Sequence, residues 1–96
     1  MAVYVILDID IHDPQRYEEY QAKVPALIEK YGGRYIVRGG AHQVVAGDWH
    51  PKRVVVFEWP NRESWAEFQN SPEYQPLKQI REESTTLRAL VIVDGV

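Results

Sequence analysis

Asp8 and Asp10 stand two residues apart near the end of the apolar run Val3–Ile11, and Glu58 stands near the end of the run Arg53–Trp59. Arg34 and Arg88 lie early in two further runs, Arg34–Arg38 and Leu87–Val93. Brought together, such side chains can do two kinds of chemistry. An arginine fork grips a carboxylate at two points, and a partly desolvated acid serves as a general base. The same charges could instead be interfacial ion pairs that set the register of a dimer. Arg38 closes its run immediately before Gly39-Gly40, where a backbone without Cβ atoms turns tightly or approaches a ligand closely. The candidate ligand-binding set is Asp8, Asp10, Arg34, Arg38, Glu58 and Arg88.

The three histidines, His12, His42 and His50, sit at expected strand or loop ends without the i, i+4 spacing of a helical zinc motif, so no metal site is expected. His12 directly follows the acid-bearing run and is the candidate proton carrier. Tyr17, Tyr20 and Tyr31 read as core residues with polar tips. A pocket beneath them would let Tyr17 or Tyr20 hydrogen-bond a ligand. Trp59, Trp65 and Asn61 are the groups an apolar cavity would use, although tryptophan at helical spacing ordinarily belongs to the core. No phosphate loop, dinucleotide fingerprint or nucleophile elbow is present. No cofactor is expected.

The elements that must position these residues follow from periodicity. Val3, Val5, Leu7, Ile9 and Ile11 form one aliphatic face of a strand, with Tyr4, Ile6, Asp8 and Asp10 on the other. Asp13-Pro14 opens a helix that runs to Tyr31, contains Pro25 and stops at Gly32-Gly33. Arg34–Arg38 is a short strand, Gln43–Ala46 a possible second one, and Arg53–Trp59 a strong one. Pro60-Asn61 caps a helix over Arg62–Asn70, Ser71-Pro72 restarts a helix to about Ser84, and Leu87–Val93 is the last strand.

The order β-α-β-β-α-β is that of a ferredoxin-like α+β sandwich, a four-stranded antiparallel sheet with helices on one face. The first and third strands are expected to be central and parallel to each other, which would carry Asp8, Asp10 and Glu58 to one end of the sheet. Tyr4, Ile6, Val54, Val56, Leu90 and Ile92 are expected on the face without helices, an apolar patch that marks a homodimer interface.

The chain has 96 residues, 45% hydrophobic and 26% charged, which suits a single globular domain over residues 1–96. Eleven basic against fourteen acidic side chains give a net charge of −3, which weighs against nucleic acid as a partner. No run reaches the roughly 18 apolar residues of a membrane span. The N-terminus has no basic segment before its apolar run and carries acids within it, so a cytoplasmic location is expected. Without cysteine there is no disulfide, thiolate metal site or cysteine nucleophile.

The stretch YGGRYIVRGG from Tyr31 to Gly40, with Asp13-Pro14, the GDW turn at Gly47–Trp49 and NSPEY at Asn70–Tyr74, resembles the domain of unknown function 1330 family. The resemblance implies a dimeric α+β barrel in which two ferredoxin-like subunits pack sheet to sheet, and it implies no settled activity. Related barrels include haem-degrading and quinone-forming monooxygenases, an analogy of fold alone. Three functions follow for testing: a homodimer that binds a small anionic organic ligand, a cofactor-free monooxygenase- or isomerase-like enzyme, and a structural dimer without ligand.

Overall fold

In the computed structural model, which describes residues Met1 to Val96, the first alternating run forms strand β1, Val3–Ile11, with Val3, Val5, Leu7 and Ile9 buried. Helix α1, Pro14–Lys30, begins where the Asp13 side chain accepts from the Arg16 N–H at 3.1 Å. Asp13 as N-cap and proline in the first turn satisfy the two needs of a helix start. The face of α1 carrying Tyr17, Tyr20, Val24, Leu27 and Ile28 is buried. Strands β2, Arg34–Arg38, and β3, Val54–Trp59, follow. Helix α2, Arg62–Asn70, is capped by Asn61, which accepts from Ser64 N–H at 2.8 Å. Helix α3, Gln75–Ser84, leads directly into strand β4, Thr85–Asp94. No helix is long and apolar enough to cross a membrane.

The sheet order is β2-β3-β1-β4, and every neighbouring pair is antiparallel. The fold is therefore the expected four-stranded antiparallel α+β sandwich, but the expected parallel pairing of the first and third strands is wrong. Tyr4 stands opposite Glu58, and Asp8 opposite Val54. The physical reason is connectivity. Helix α1 returns the chain so that β2 runs with β1, and the antiparallel β2–β3 connection then reverses β3.

Two register shifts redirect side chains. One lies between Tyr35 and Val37 and leaves Ile36 unopposed, so Arg38 stands opposite Val55 and shares the helix-side face with Tyr35. The other leaves Arg88 unopposed between Leu87, which faces Ile9, and Ala89, which faces Asp8. Beyond it, Leu90 and Ile92 stand opposite Leu7 and Val5 on the helix side, while Val91 and Val93 stand opposite Ile6 and Tyr4. Val91 and Val93 therefore replace the expected Leu90 and Ile92 on the open face. The possible strand Gln43–Ala46 does not form; residues 40–50 are irregular and exposed.

The core fills the space between the sheet and the helices. Trp59, Phe68 and Tyr74 stack in series, with ring centroids 5.1 and 4.3 Å apart. Gly33 makes room for this: a Cβ there would sit 2.8 Å from the Trp59 ring, so no larger residue fits without moving the indole.

Candidate functional site

The expected acid–arginine cluster separates into two groups. Glu58 lies four residues along β3 from the position opposite Asp8, about 13 Å at the usual strand rise. At one end of the open face, Glu58 accepts from Arg34 Nε at 2.7 Å and from the Tyr4 hydroxyl at 2.9 Å. These two donors, Arg34 first, hold the Glu58 carboxyl below its ordinary range. The Arg34 side chain is 70% exposed, so this is a wet surface pair.

At the other end, Asp8 is 1% exposed. Its Oδ1 accepts from the backbone N–H groups of Lys52 and Arg53 at 2.9 and 3.3 Å. Its Oδ2 accepts from Trp49 Nε1 at 3.0 Å and Arg88 Nε at 3.2 Å. Burial pushes the carboxyl up, but the donors from Trp49, Lys52, Arg88 and Arg53 outweigh it and leave it lowered. Arg88 Nη2 also donates to the His50 carbonyl at 3.0 Å. Both Asp8 oxygens are thus engaged in fastening the Trp49–Arg53 segment to the sheet. Asp10 makes no side-chain hydrogen bond or ion pair within the subunit and stands opposite Thr86. His12 is exposed beyond the end of β1, its backbone N–H donating to the Ser84 carbonyl at 3.0 Å.

The seven arginines sort by what holds them. Arg16, Arg34, Arg62 and Arg88 each pair with a carboxylate. Arg38 donates to the Gln21 carbonyl and lies 4.6 Å from the Tyr35 ring centroid. Arg53 lies 5.9 Å from the Tyr17 centroid, close against Gly39, whose φ of +68° and missing Cβ admit the guanidinium. Arg81 alone has no carboxylate, carbonyl or aromatic partner, yet it is 9% exposed and its Nε is buried without an acceptor. Its terminal nitrogens are not among the buried unpartnered atoms, so the charge meets solvent while the Nε–H does not, and a donor shut away from any acceptor is costly.

Arg81 lies on the boundary of two spaces. On its inner side, beneath the helices, is a cavity of about 20 Å³ bounded by Tyr20, Trp59, Trp65, Phe68, Gln69, Tyr74 and the sheet. Trp59 Nε1 and Arg53 Nε are the other two buried donors without an acceptor, and of these two residues Trp59 also lines this cavity. On its outer side, between α3 and β4, is a groove of about 480 Å³ that also includes Lys78, Glu82, Thr85, Leu87 and Leu90. The Tyr20 and Tyr74 hydroxyls pair at 3.1 Å. Burial, then the neighbouring Tyr74, pushes the Tyr20 phenol well up, so it is a neutral hydrogen-bonding group at ordinary pH. The Tyr17 phenol is also raised by burial, against the opposing charges of Arg53, Arg38 and Arg81. Asn61 serves as a helix cap, and no group of three or more His, Asp or Glu side chains is arranged to hold a metal ion.

Arg81 was not among the residues singled out in the sequence, although a signal existed. Leu77, Ile80, Arg81 and Ser84 recur at i, i+3, i+4 and i+7, the spacing of the buried stripe of a helix. A charged residue on that stripe is the informative exception.

The fold and this inward-facing chamber define a small α+β sandwich of ferredoxin-like type. The chain belongs to the family described as Domain of unknown function (DUF1330), whose model matches residues 2–96. Its structure is similar to that of RPA0582, a protein of unknown function from Rhodopseudomonas palustris, with a TM-score of 0.83, 16% identity, and coverage of 99% of this chain and 82% of that one. It is also similar to SnoaB, a cofactor-independent oxygenase from Streptomyces nogalater, with a TM-score of 0.67, 12% identity, and coverage of 99% and 93%. No curated protein matches the chain by sequence.

Proposed function

We propose that the protein binds a small organic anion at Arg81, in the groove between α3 and β4 that adjoins the inner chamber, and does so as a homodimer. The observation that carries the binding site is the state of Arg81: deeply buried, without an acid, and open on one side to a groove. A ligand carboxylate would supply the missing charge and accept the free Nε–H. The groove volume lies within the ordinary range for small-molecule sites. Of the residues read from the sequence, Arg38 lies on this face and contributes positive charge near Tyr17.

The dimer is supported by the open face. Val91 and Val93 are about half exposed, at 51% and 45%, and they adjoin Tyr4, Ile6, Val54 and Val56. At ~25 cal/mol per Å² of apolar area, covering such a face is worth several kcal/mol. A second copy is the simplest self-complementary cover.

The test of the binding site is Arg81→Met. Replacing an unpaired buried charge with an apolar chain of similar volume should leave the melting temperature equal or higher. Stabilisation of the native protein by millimolar benzoate should disappear in the variant. A strongly lowered melting temperature with benzoate stabilisation retained would overturn the reading. The likeness to SnoaB favours a second reading, in which the bound anion is oxidised without a cofactor; ligand-dependent oxygen consumption, lost in Arg81→Met, would distinguish it from binding alone.

A further inference from the structure

The walls of the Arg81 site narrow the kind of anion it takes. Arg81 and Trp59 both line the inner cavity, and each carries a buried N–H donor, Nε and Nε1, that has no acceptor. Each unmet donor costs free energy that an oxygen placed between them would recover. The cavity of about 20 Å³ admits one water or one ligand oxygen and little more. Apart from Gln69 and Arg81, its wall is aliphatic and aromatic.

Outside the chamber the groove is amphipathic. Leu87 and Leu90 border it while 49% and 43% exposed. Lys78 and Glu82 line it as well, one of each sign, so beyond Arg81 the groove adds no net charge. Exposed leucines beside a buried cation suit a ligand with one anionic head and an apolar body. A phosphate carries more charge than one guanidinium offsets, and the other polar groups of the cavity wall, those of Trp59, Gln69 and the Tyr20–Tyr74 pair, are neutral. A polyhydroxylated acid would lay its hydroxyls against leucine.

Resting on the anion-binding reading above, we infer that the ligand is a hydrophobic monocarboxylate, an aryl or branched aliphatic acid. One carboxylate oxygen enters between Arg81 Nε and Trp59 Nε1, and the apolar body lies along Leu87 and Leu90. Gln69, Arg81 and Leu90 border both spaces.

Calorimetric titration of the full-length protein with benzoate, 2-naphthoate and 3-methylbutanoate tests this. Gluconate and inorganic phosphate serve as hydrophilic anions and 2-naphthamide as the neutral analogue. At least one of the three hydrophobic acids should bind at least tenfold more tightly than gluconate, phosphate and the amide. Arg81→Met should weaken it at least tenfold, and Leu87→Ser, on the exposed strand edge, by about threefold. Gluconate or phosphate binding as tightly as the hydrophobic acids, with the same dependence on Arg81, would overturn the inference and leave the anion site standing. Absence of binding by every anion, or binding unchanged in Arg81→Met, would overturn both. Because Arg81→Met removes an unpaired charge, its fold is checked by its melting curve. Should that variant not fold, the indole N–H resonance of Trp59 in the native protein decides: it shifts on adding the acid if the placement is right and stays fixed if it is wrong.

Discussion

Arg38 Nη2 donates to the backbone carbonyl of Gln21 at 3.3 Å, the carbonyl that Pro25, four residues on, cannot serve because it has no N–H. A break in the α1 ladder is thus met by a side chain from β2. The guanidinium that looked in the sequence like a ligand clamp before two glycines also has this structural task.

Pro25→Ala should therefore keep the fold and hold or raise the melting temperature, since proline costs up to ~3 kcal/mol in a helix interior. Arg38→Met should cost about 0.5–1 kcal/mol in the native background and less beside Pro25→Ala, where the Gln21 carbonyl regains a helical donor. A double-mutant cycle by denaturant unfolding reads the coupling. Strictly additive effects would show that Arg38 does not serve this carbonyl.

Asp8 gives the strongest structural prediction. Asp8→Ala strands the Trp49 indole N–H, the Arg88 guanidinium and two backbone N–H groups. The expected loss is about 3 kcal/mol, with faster amide exchange at Lys52 and Arg53. A loss below about 0.5 kcal/mol in chemical denaturation would contradict the fastening role.

The same carboxylate sets a pH dependence. The folded-state pKa of Asp8 is depressed, so its stabilisation is fully present above the unfolded carboxylate range and is lost as pH falls through the folded value. The melting temperatures of the native protein and Asp8→Asn should differ at pH 7 and converge towards pH 2. Parallel curves throughout would exclude Asp8 as a source of the acid limb.

Dimerisation is checked by light scattering across a dilution series. Two copies are expected at micromolar concentration, and Val56→Lys, which charges the middle of the open face, should give a monomer. A monomeric native protein, or a variant of unchanged mass, would remove the sheet face as the interface.

Much of the fold was legible because it is written in local periodicity and caps. β1 and α1 carry unbroken alternating and helical patterns, and Asp13 and Asn61 cap their helices as the sequence indicates. The candidate site was less legible because it depends on relations between distant segments. No residue within β3 records whether it runs with or against β1, so Glu58 was expected beside Asp8 and stands instead beside Tyr4 and Arg34. The unopposed residues Ile36 and Arg88 shift the alternation behind them, moving Arg38 and Leu90 to the helix side. Arg81 was passed over because arginine on a helix is ordinarily a solvent-facing residue; only its place in the 77, 80, 81, 84 stripe tells against that.

The most direct measurement of the central claim is the set of arginine Nε–H resonances of the isotopically labelled protein during titration with benzoate. Binding at Arg81 predicts a saturable shift of the Arg81 Nε–H signal, with those of Arg34 and Arg62, both held by surface carboxylates, unmoved. A shift confined to Arg34 and Arg62, or no shift at Arg81 with millimolar benzoate, 2-naphthoate or 3-methylbutanoate alike, would contradict it.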